Sequence, residues 1–336
     1  MAITEFIIER KMSKQHTEYD VRELISGKVD WESDIDFSAG TLSFSLDISQ
    51  TPEFYPQNGD IVRFKWDGVQ AFYGRIFKVD TDEKEQYNCV AYDNLRYLKS
   101  EGTVIFPVST VAERYSRIMQ ICNLPFYPTE DTRYKLDSEV CDGQTYFSML
   151  QSGIEETNKN TKDGQYFLRT VWDKIQLFTT RIATSTLVIE ANGLLSGWAY
   201  QSSAENLYNI VQVVKDTTDS EEKDEKRKTF TTKEASAQDS ITRYGKLSKI
   251  EKADKDMNDA QMQNKANQLL KELSKEETTL KLSSLGAFHD GMFIRAGDRF
   301  WVKIDNILVK ERIYQSKKIT HHFDQIWTTD FEGVLQ

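Results

Sequence analysis

The chain has 336 residues, with 43 Lys and Arg against 53 Asp and Glu for a net charge of −10; at about 150 residues per domain, that length fits two domains or three small ones. Residues 1–100 carry 12 basic against 18 acidic side chains, 101–195 carry 9 against 12, and 196–336 carry 22 against 23. No segment offers the clustered cationic face that counterion release from a phosphate backbone requires, which excludes a protein that grips nucleic acid.

Apolar residues make up 39% and aromatics 12%, a balance suited to thin cores, sheet surfaces and interfaces rather than one large core. The opening MAITEFIIER lacks the charged start, long apolar run and small-residue cleavage site of a secretory signal. No run approaches the roughly 18 apolar residues of a spanning helix. The expectation is a soluble protein made in the cytosol, with no membrane partner.

From Thr4 to Leu98 the pattern is strand-like. Phe6–Ile8, Thr41–Leu46, Ile61–Trp66, Phe72–Phe77 and Tyr87–Tyr92 are short, rich in β-branched or aromatic residues, and mostly alternating. Asp67-Gly68 separates two of them and predicts a tight hairpin, because a type I′ turn needs positive φ. Residues 1–100 therefore predict a small β domain, read as a barrel.

Beyond Lys99 the period changes. Thr110-Val111-Ala112-Glu113 has capping-box spacing, and Val111, Tyr115, Ile118, Met119 and Cys122 then recur at helical intervals until Pro125. A second helix is expected from about Thr145 to Glu156 through Phe147, Leu150 and Ile154. Two strands follow, Tyr166–Trp172 and Ile175–Thr180, so residues 101–195 predict an α+β module.

A strand over Asn209–Val214 leads into Lys215–Lys228, with 5 positive and 6 negative side chains, read as a solvated hairpin tip. Asp254–Lys275 predicts a polar helix with Met257, Gln261, Asn264, Gln268 and Leu269 to Leu273 along one side. So thin an apolar stripe needs a partner surface.

An internal repeat organises these elements. Sliding the chain by 238 positions without a gap lays Thr41-Leu42 on Thr279-Leu280, Ser45 on Ser283, Gly59-Asp60 on Gly297-Asp298, Lys65 on Lys303 and Asp67 on Asp305. Phe44 lands on Leu282, Val62 on Phe300, Phe64 on Val302, Val69 on Ile307 and Ala71 on Val309, so both copies bury the same strand faces. Gly-Asp enters a strand in each copy, where glycine permits a turn closed to larger residues. Residues 196–336 thus predict a second version of the first β domain, carrying the charged hairpin at 215–228 and the helix at 254–275. A chain with two equivalent domains can form an approximately sixfold ring from three subunits.

Phe37-Ser38-Ala39-Gly40-Thr41-Leu42-Ser43-Phe44, Asn58–Phe64, Phe72-Tyr73-Gly74 and Ala91-Tyr92-Asp93-Asn94-Leu95-Arg96-Tyr97-Leu98-Lys99 resemble the XkdQ proteins of PBSX-type prophages. These are related to the baseplate hubs of contractile phage tails and to the hub part of the VgrG spike. The resemblance covers essentially the whole chain, with Arg295-Ala296-Gly297-Asp298 in the last domain. It implies a β-rich α+β fold in which two tail-tube-like barrels flank the middle module. It further implies a homotrimeric ring between the sixfold tail tube, or a tube-initiating protein, and the threefold spike. Tape measure protein and DNA would pass through the lumen, and the particle would be a phage, a defective prophage or an R-type bacteriocin tail. The charged 215–228 tip departs from that pattern. No hydrolase domain is appended, so lytic activity is not carried over.

Chemistry-bearing residues are sparse. Cys89, Cys122 and Cys141 show no paired C-x-x-C spacing and read as buried free thiols. Of His16, His289, His321 and His322, the adjacent pair points to opposite faces of a strand and is poorly placed to chelate one ion; exposed strand histidines are expected. Glu155-Glu156 diverge around a helix by about 100° and do not form a glycosidase pair. Trp31, Trp66, Tyr73 and Trp198 could stack on sugars, but their strand context favours core and interface roles. The chain carries no G-x-S-x-G, H-E-x-x-H, Walker or G-x-G-x-x-G motif. No catalytic, metal or cofactor site is expected, and the function read is a structural hub rather than a cell-wall hydrolase or a carbohydrate-binding adhesion module. The acidic excess of residues 1–100 suits a channel wall that repels passing DNA.

Overall fold

The computed structural model of the chain describes residues 2–336 apart from 14, 50–53, 82, 84–85, 162–163, 180–185, 192, 219–227, 254–256 and 307–309. Alternation in the first hundred residues resolves into β1 (Ile3–Met12), β2 (Gln15–Asp20), β3 (Val29–Asp34), β4 (Thr41–Asp47), β5 (Ile61–Trp66), β6 (Val69–Thr81) and β7 (Gln86–Tyr92). Leu42, Phe44 and Leu46 of β4 are buried while the residues between them are not, as a strand with one face on a core requires. Phe6 packs edge-on against Phe44 at 4.9 Å and Phe64 at 5.3 Å. The expected hairpin forms, Trp66 opposite Val69, with φ of 47° at Asp67 and 79° at Gly68.

The middle module follows as β8 (Glu101–Phe106), β9 (Ser109–Thr110), α1 (Val111–Ile121), β10 (Lys135–Leu136), β11 (Glu139–Thr145), α2 (Tyr146–Asn160), β12 (Tyr166–Val171) and β13 (Lys174–Thr179). Thr110 accepts from the Glu113 amide at 3.3 Å and its own amide donates to the Glu113 carboxylate at 2.7 Å, closing the capping box. Tyr115, Ile118 and Met119 of α1 share one buried cluster with Leu150 and Ile154 of α2. Helix α2 outruns the expected end at Glu156 by a turn. There Asn158 donates to the Tyr166 carbonyl at 2.9 Å and accepts from its amide at 2.7 Å, tying the helix end to β12.

After β14 (Val188–Glu190), the strand β15 (Leu195–Ser203) runs into a separate compact unit that spans Tyr200–Thr279. It contains β16 (Ile210–Thr218), β17 (Lys228–Ser236), α3 (Gln238–Tyr244), β18 (Ser248–Lys252) and α4 (Asp259–Leu273). Strand β16 pairs antiparallel with β17 and parallel with β18. Of the charged 215–228 tip, residues 215–218 and 228 continue β16 and β17, and 219–227 lie outside the described residues. Helix α4 is shorter than expected and buries a different stripe, Met262 and Ala266, flanked by Met257 and Leu270, against Val213 and Ala235.

The chain then returns to the first unit, which joins Met1–Ala199 with Leu280–Gln336. The strands are β19 (Glu277–Leu285), β20 (Phe288–His289), β21 (Met292–Phe293), β22 (Arg299–Lys303), β23 (Glu311–Phe323) and β24 (Thr328–Leu335). One 13-stranded sheet runs β15-β19-β24-β23-β3-β4-β7-β6-β5-β1-β2, with β22 on β23 and β14 on β22. The two repeat copies share this sheet.

Strand order within the two copies is the same, β4-β7-β6-β5 and β19-β24-β23-β22. Their registers agree too: Leu42 pairs with Ala91 and Phe44 with Cys89, as Leu280 pairs with Gly333 and Leu282 with Phe331. Ser45 Oγ donates to Asn88 Oδ1 at 2.6 Å, and Ser283 Oγ to Asp330 Oδ1 at 2.6 Å. The register breaks at Ile76/Lys78 in one copy and at Ser316/Lys318 in the other. Phe44, Val62 and Phe64 are buried, as are Leu282, Phe300 and Val302. Of the further expected matches, Ile307 and Val309 fall outside the described residues.

Candidate functional site

The Gly-Asp turn of each copy is built alike. Gly59 and Gly297 sit at φ of 96° and 91°. Each glycine amide donates at 2.8 Å across the hairpin, to the Ile76 and Ser316 carbonyls. Each aspartate closes its own loop, Asp60 accepting from the Gln57 amide at 3.0 Å and Asp298 from the Arg295 amide at 2.9 Å.

Each aspartate also meets an arginine from elsewhere in the chain. Arg10 of β1 grips Asp60 with two bonds, Nε to Oδ1 at 3.0 Å and Nη2 to Oδ2 at 2.7 Å. Arg169 of β12 reaches Asp298 Oδ1 at 2.9 Å, with its guanidinium 3.5 Å from the centre of the Phe178 ring. In the first copy the pair is internal to the β domain. In the second it fastens the middle module onto the turn, where Phe167 of β12 fills the space a side chain at Gly297 would take.

A second polar chain continues from this joint. Thr170 Oγ1 donates to Asp93 Oδ2 at 2.6 Å, and the Thr170 carbonyl accepts from Arg295 at 2.6 Å. Asp93 also caps the short helical turn Asn94–Lys99 through the Leu95 amide at 3.0 Å. Its carboxylate leaves no room at Gly40, where a Cβ would stand 2.6 Å from Oδ2. Burial pushes the Asp93 carboxyl up to about 7, against the pull of these hydrogen bonds and of Arg295. Desolvation, with Arg169 nearby, brings Arg295 down to about 10. Asp93 belongs to the Ala91–Lys99 run, and Arg295 and Asp298 to the Arg-Ala-Gly-Asp run, so both segments meet at one structural joint.

Beside this joint lies a cavity of about 560 Å³ lined by Arg169, Trp172, Phe178, His289, Met292 and Asp298 among others. Of its ionic groups, Arg169 pairs with Asp298 and His289 lies 3.3 Å from Asp290, and among the described residues neither a cysteine nor a serine lines it. The arrangement can hold three sequence-distant segments in fixed relation.

The residues weighed for chemistry are dispersed. His321 and His322 do face opposite ways, but His321 is not exposed. It is 1% accessible, stacked on Trp31 at 5.1 Å, and bonded to Thr329 Oγ1 at 3.0 Å and the Ile294 carbonyl at 2.9 Å. Burial lowers its pKa to about 3. The parity of β23 turns this position into the core, which the sequence pair does not reveal. His322 meets Asp30 at 2.6 Å and Asp330 at 3.2 Å. His16 lies with Glu9 and Glu18, where Lys11 and Arg63 already provide the positive charge.

Cys89 and Cys141 are buried free thiols; Cys122 is only half-buried. Burial raises all three, Cys89 to about 12, the opposite of nucleophile activation. Glu155 bonds Gln151 and Glu156 bonds Tyr134, so the two carboxylates serve separate neighbours. Trp31 and Trp66 are core residues, Tyr73 packs on Trp172 at 5.6 Å, and Trp198 is exposed. Arg10 and Arg169, the partners of the turn aspartates, lie 50 and 129 positions away from them, and no local pattern marks them.

A family description of YqbQ-like proteins matches residues 29–332, which includes the first copy, the joint and the second copy up to the middle of β24. The chain belongs to the YqbQ-like family. It is 27% identical over 233 residues to the uncharacterized protein YqbQ of Bacillus subtilis strain 168, covering 68% of this chain and 67% of that one. It is also 27% identical over 227 residues to the phage-like element PBSX protein XkdQ of the same organism, 66% of each chain. In structure it is similar to the prophage MuSo2 43 kDa tail protein of Shewanella oneidensis, with a TM-score of 0.69 over 98% of both chains at 9% identity. The fold is thus β-rich α+β, shared with a tail protein, and the resemblance to the XkdQ family holds.

Proposed function

We propose that this chain is the structural hub of a contractile tail baseplate. Three copies form a pseudo-sixfold ring that adapts the sixfold tail tube above to the threefold spike below. The observation that carries this reading is the equivalence of β4-β7-β6-β5 and β19-β24-β23-β22 in order, register and turn chemistry. A chain holding two equivalent units converts threefold into approximate sixfold symmetry by itself. The likeness to PBSX XkdQ and to a prophage tail protein supports the setting.

In this reading the role is structural rather than catalytic. The two copies act as tube-like domains, the middle module braces the second of them through Arg169, and tape measure protein and DNA pass through the lumen without being held. The chain is made in the bacterial cytoplasm and ends in the assembled tail. Reconstruction of tails carrying this protein tests the proposal. Three copies around the axis between tube and spike are expected; one off-axis copy, or six chains in the ring, overturns it.

A further inference from the structure

The cavity of about 560 Å³ beside the joint has the size and make-up of a small-molecule site, since such sites run to about 300–1,000 Å³ and are mostly apolar with a few placed polar groups. Its wall joins three parts of the chain. Val69 and Gln70 come from the start of β6, Val171, Trp172 and Phe178 from the β12–β13 hairpin, and residues between His289 and Arg299 from the stretch that leads into β22.

The apolar wall is held at a backbone cost. Val171 opposite Lys174 closes β12 and β13 with a two-residue turn, and Trp172 enters that turn at a φ of 56°. Such a position favours glycine. A bulky side chain there is strained, and strain of this kind gathers at ligand sites, where the surrounding structure enforces it. Asp290, also in the lining, has a φ of 50°.

Electrostatics supply the other half. The lining holds Arg169, Arg295 and Arg299 against Asp290 and Asp298, an excess of one positive charge. Arg169 pairs with Asp298 at 2.9 Å. Arg295 differs, for its guanidinium donates to the Thr170 carbonyl at 2.6 Å and lies 5.2 Å from the centre of the Trp31 ring, but among the described residues no carboxylate comes within ion-pairing distance of it. Its fork of N–H donors is left with capacity for an anion. Desolvation and the neighbouring Arg169 bring its pKa down to about 10, and a bound anion would offset both effects.

We propose that this cavity binds a small monocarboxylate with an apolar body, of the acyl or arylalkyl class, its carboxylate on Arg295 and its body against Trp172, Phe178 and Met292. One negative charge matches the one excess positive charge. Inorganic phosphate would suit the arginine but leave the apolar wall uncovered. The site does not depend on the hub reading. It does bear on the joint, because Arg295 and Arg169 fasten the middle module to the second copy's turn, and an occupant held by Arg295 stabilises the folded chain by RT ln(1 + [L]/Kd).

Isothermal titration of the full chain with octanoate and with 4-phenylbutyrate, each beside its amide, tests the proposal. Saturable one-to-one binding is expected for at least one acid, at least tenfold tighter than for its amide, with a melting temperature that rises with acid concentration. Met292→Trp, at a position 66% exposed, fills the cavity from its rim and is expected to keep the melting transition of the free chain while weakening the acid at least tenfold. Arg295→Met is expected to bring the acid down to the level of the amide; because this side chain also braces the joint, Met292→Trp decides the matter if that variant does not fold. No saturable binding of either acid, equal affinity for acid and amide, phosphate binding as tight as the acid, or binding unchanged in folded Met292→Trp overturns the site.

Discussion

Alanine at Gly59 and at Gly297 poses the same backbone question in two surroundings. Both glycines have φ near 90°, so a Cβ at either costs about 1–2 kcal/mol of conformational strain. At Gly59 the added carbon meets nothing within 4 Å, but at Gly297 it comes closer than 3.0 Å to three atoms of the Phe167 ring. That ring is 4% exposed and packed on Phe178 at 5.2 Å, so it has little freedom to retreat. Overpacking of this kind adds about 1–3 kcal/mol. Gly297→Ala is therefore expected to lose about 2–5 kcal/mol in total, against about 1–2 kcal/mol for Gly59→Ala. Urea unfolding of the full chain, followed by tryptophan fluorescence and circular dichroism, measures both. Phe167→Ala in the Gly297→Ala background should return part of the difference, and the double-mutant cycle isolates it. Equal losses at the two glycines, or no coupling to Phe167, would refute the claim that the middle module seats on this turn.

Arg10→Ala leaves the Asp60 carboxylate, 4% exposed, without its bidentate partner and should cost about 3–5 kcal/mol in the same unfolding assay. Asn158→Ala removes both bonds to Tyr166 and should cost about 1–3 kcal/mol, seen as a lower melting temperature. The buried Asp93 carboxyl, raised to about 7 from 3.8, favours the folded state most at low pH, and that contribution is lost as pH rises through about 7. His321, lowered to about 3 from 6.5, favours folding above pH 6.5 and loses that contribution as pH falls towards 3. The two slopes oppose one another between pH 4 and 6.5, so Asp93→Asn should make stability climb more steeply with pH across that window. Urea midpoints at several pH values check the sign; an unchanged slope would count against a protonated Asp93.

Local chemistry was the most legible part of this sequence. Asp67-Gly68 and Thr110–Glu113 form the turn and the cap they predict, because each motif satisfies its own backbone groups within four residues. The repeat was readable as far as Asp67 because both copies keep one spacing over two strands and the Gly-Asp turn. Beyond that point the equivalent strands lie 240 and then 242 positions apart, since loops change length without disturbing the sheet. Helix α4 hid its buried side behind a small residue, Ala266, among Gln and Asn. The joint itself was only half visible. Its aspartates sit in motifs, whereas Arg10 and Arg169 are ordinary surface-looking arginines until the fold brings them in, and His321 looked exposed until β23 turned it inward.

The two-sided pairing of β3 bears on when this protein can finish folding. Asp30, near the start, bonds His322, 292 positions later, so the stitch between the copies cannot form until almost the whole chain has left the ribosome. Contacts of such separation close last, after the local hairpins have paid their loop entropy. A chain cut short before β23 would keep an open edge at β3 and lack the second copy. The same strand that joins the two copies thus makes completeness of the polypeptide a condition for closing the sheet.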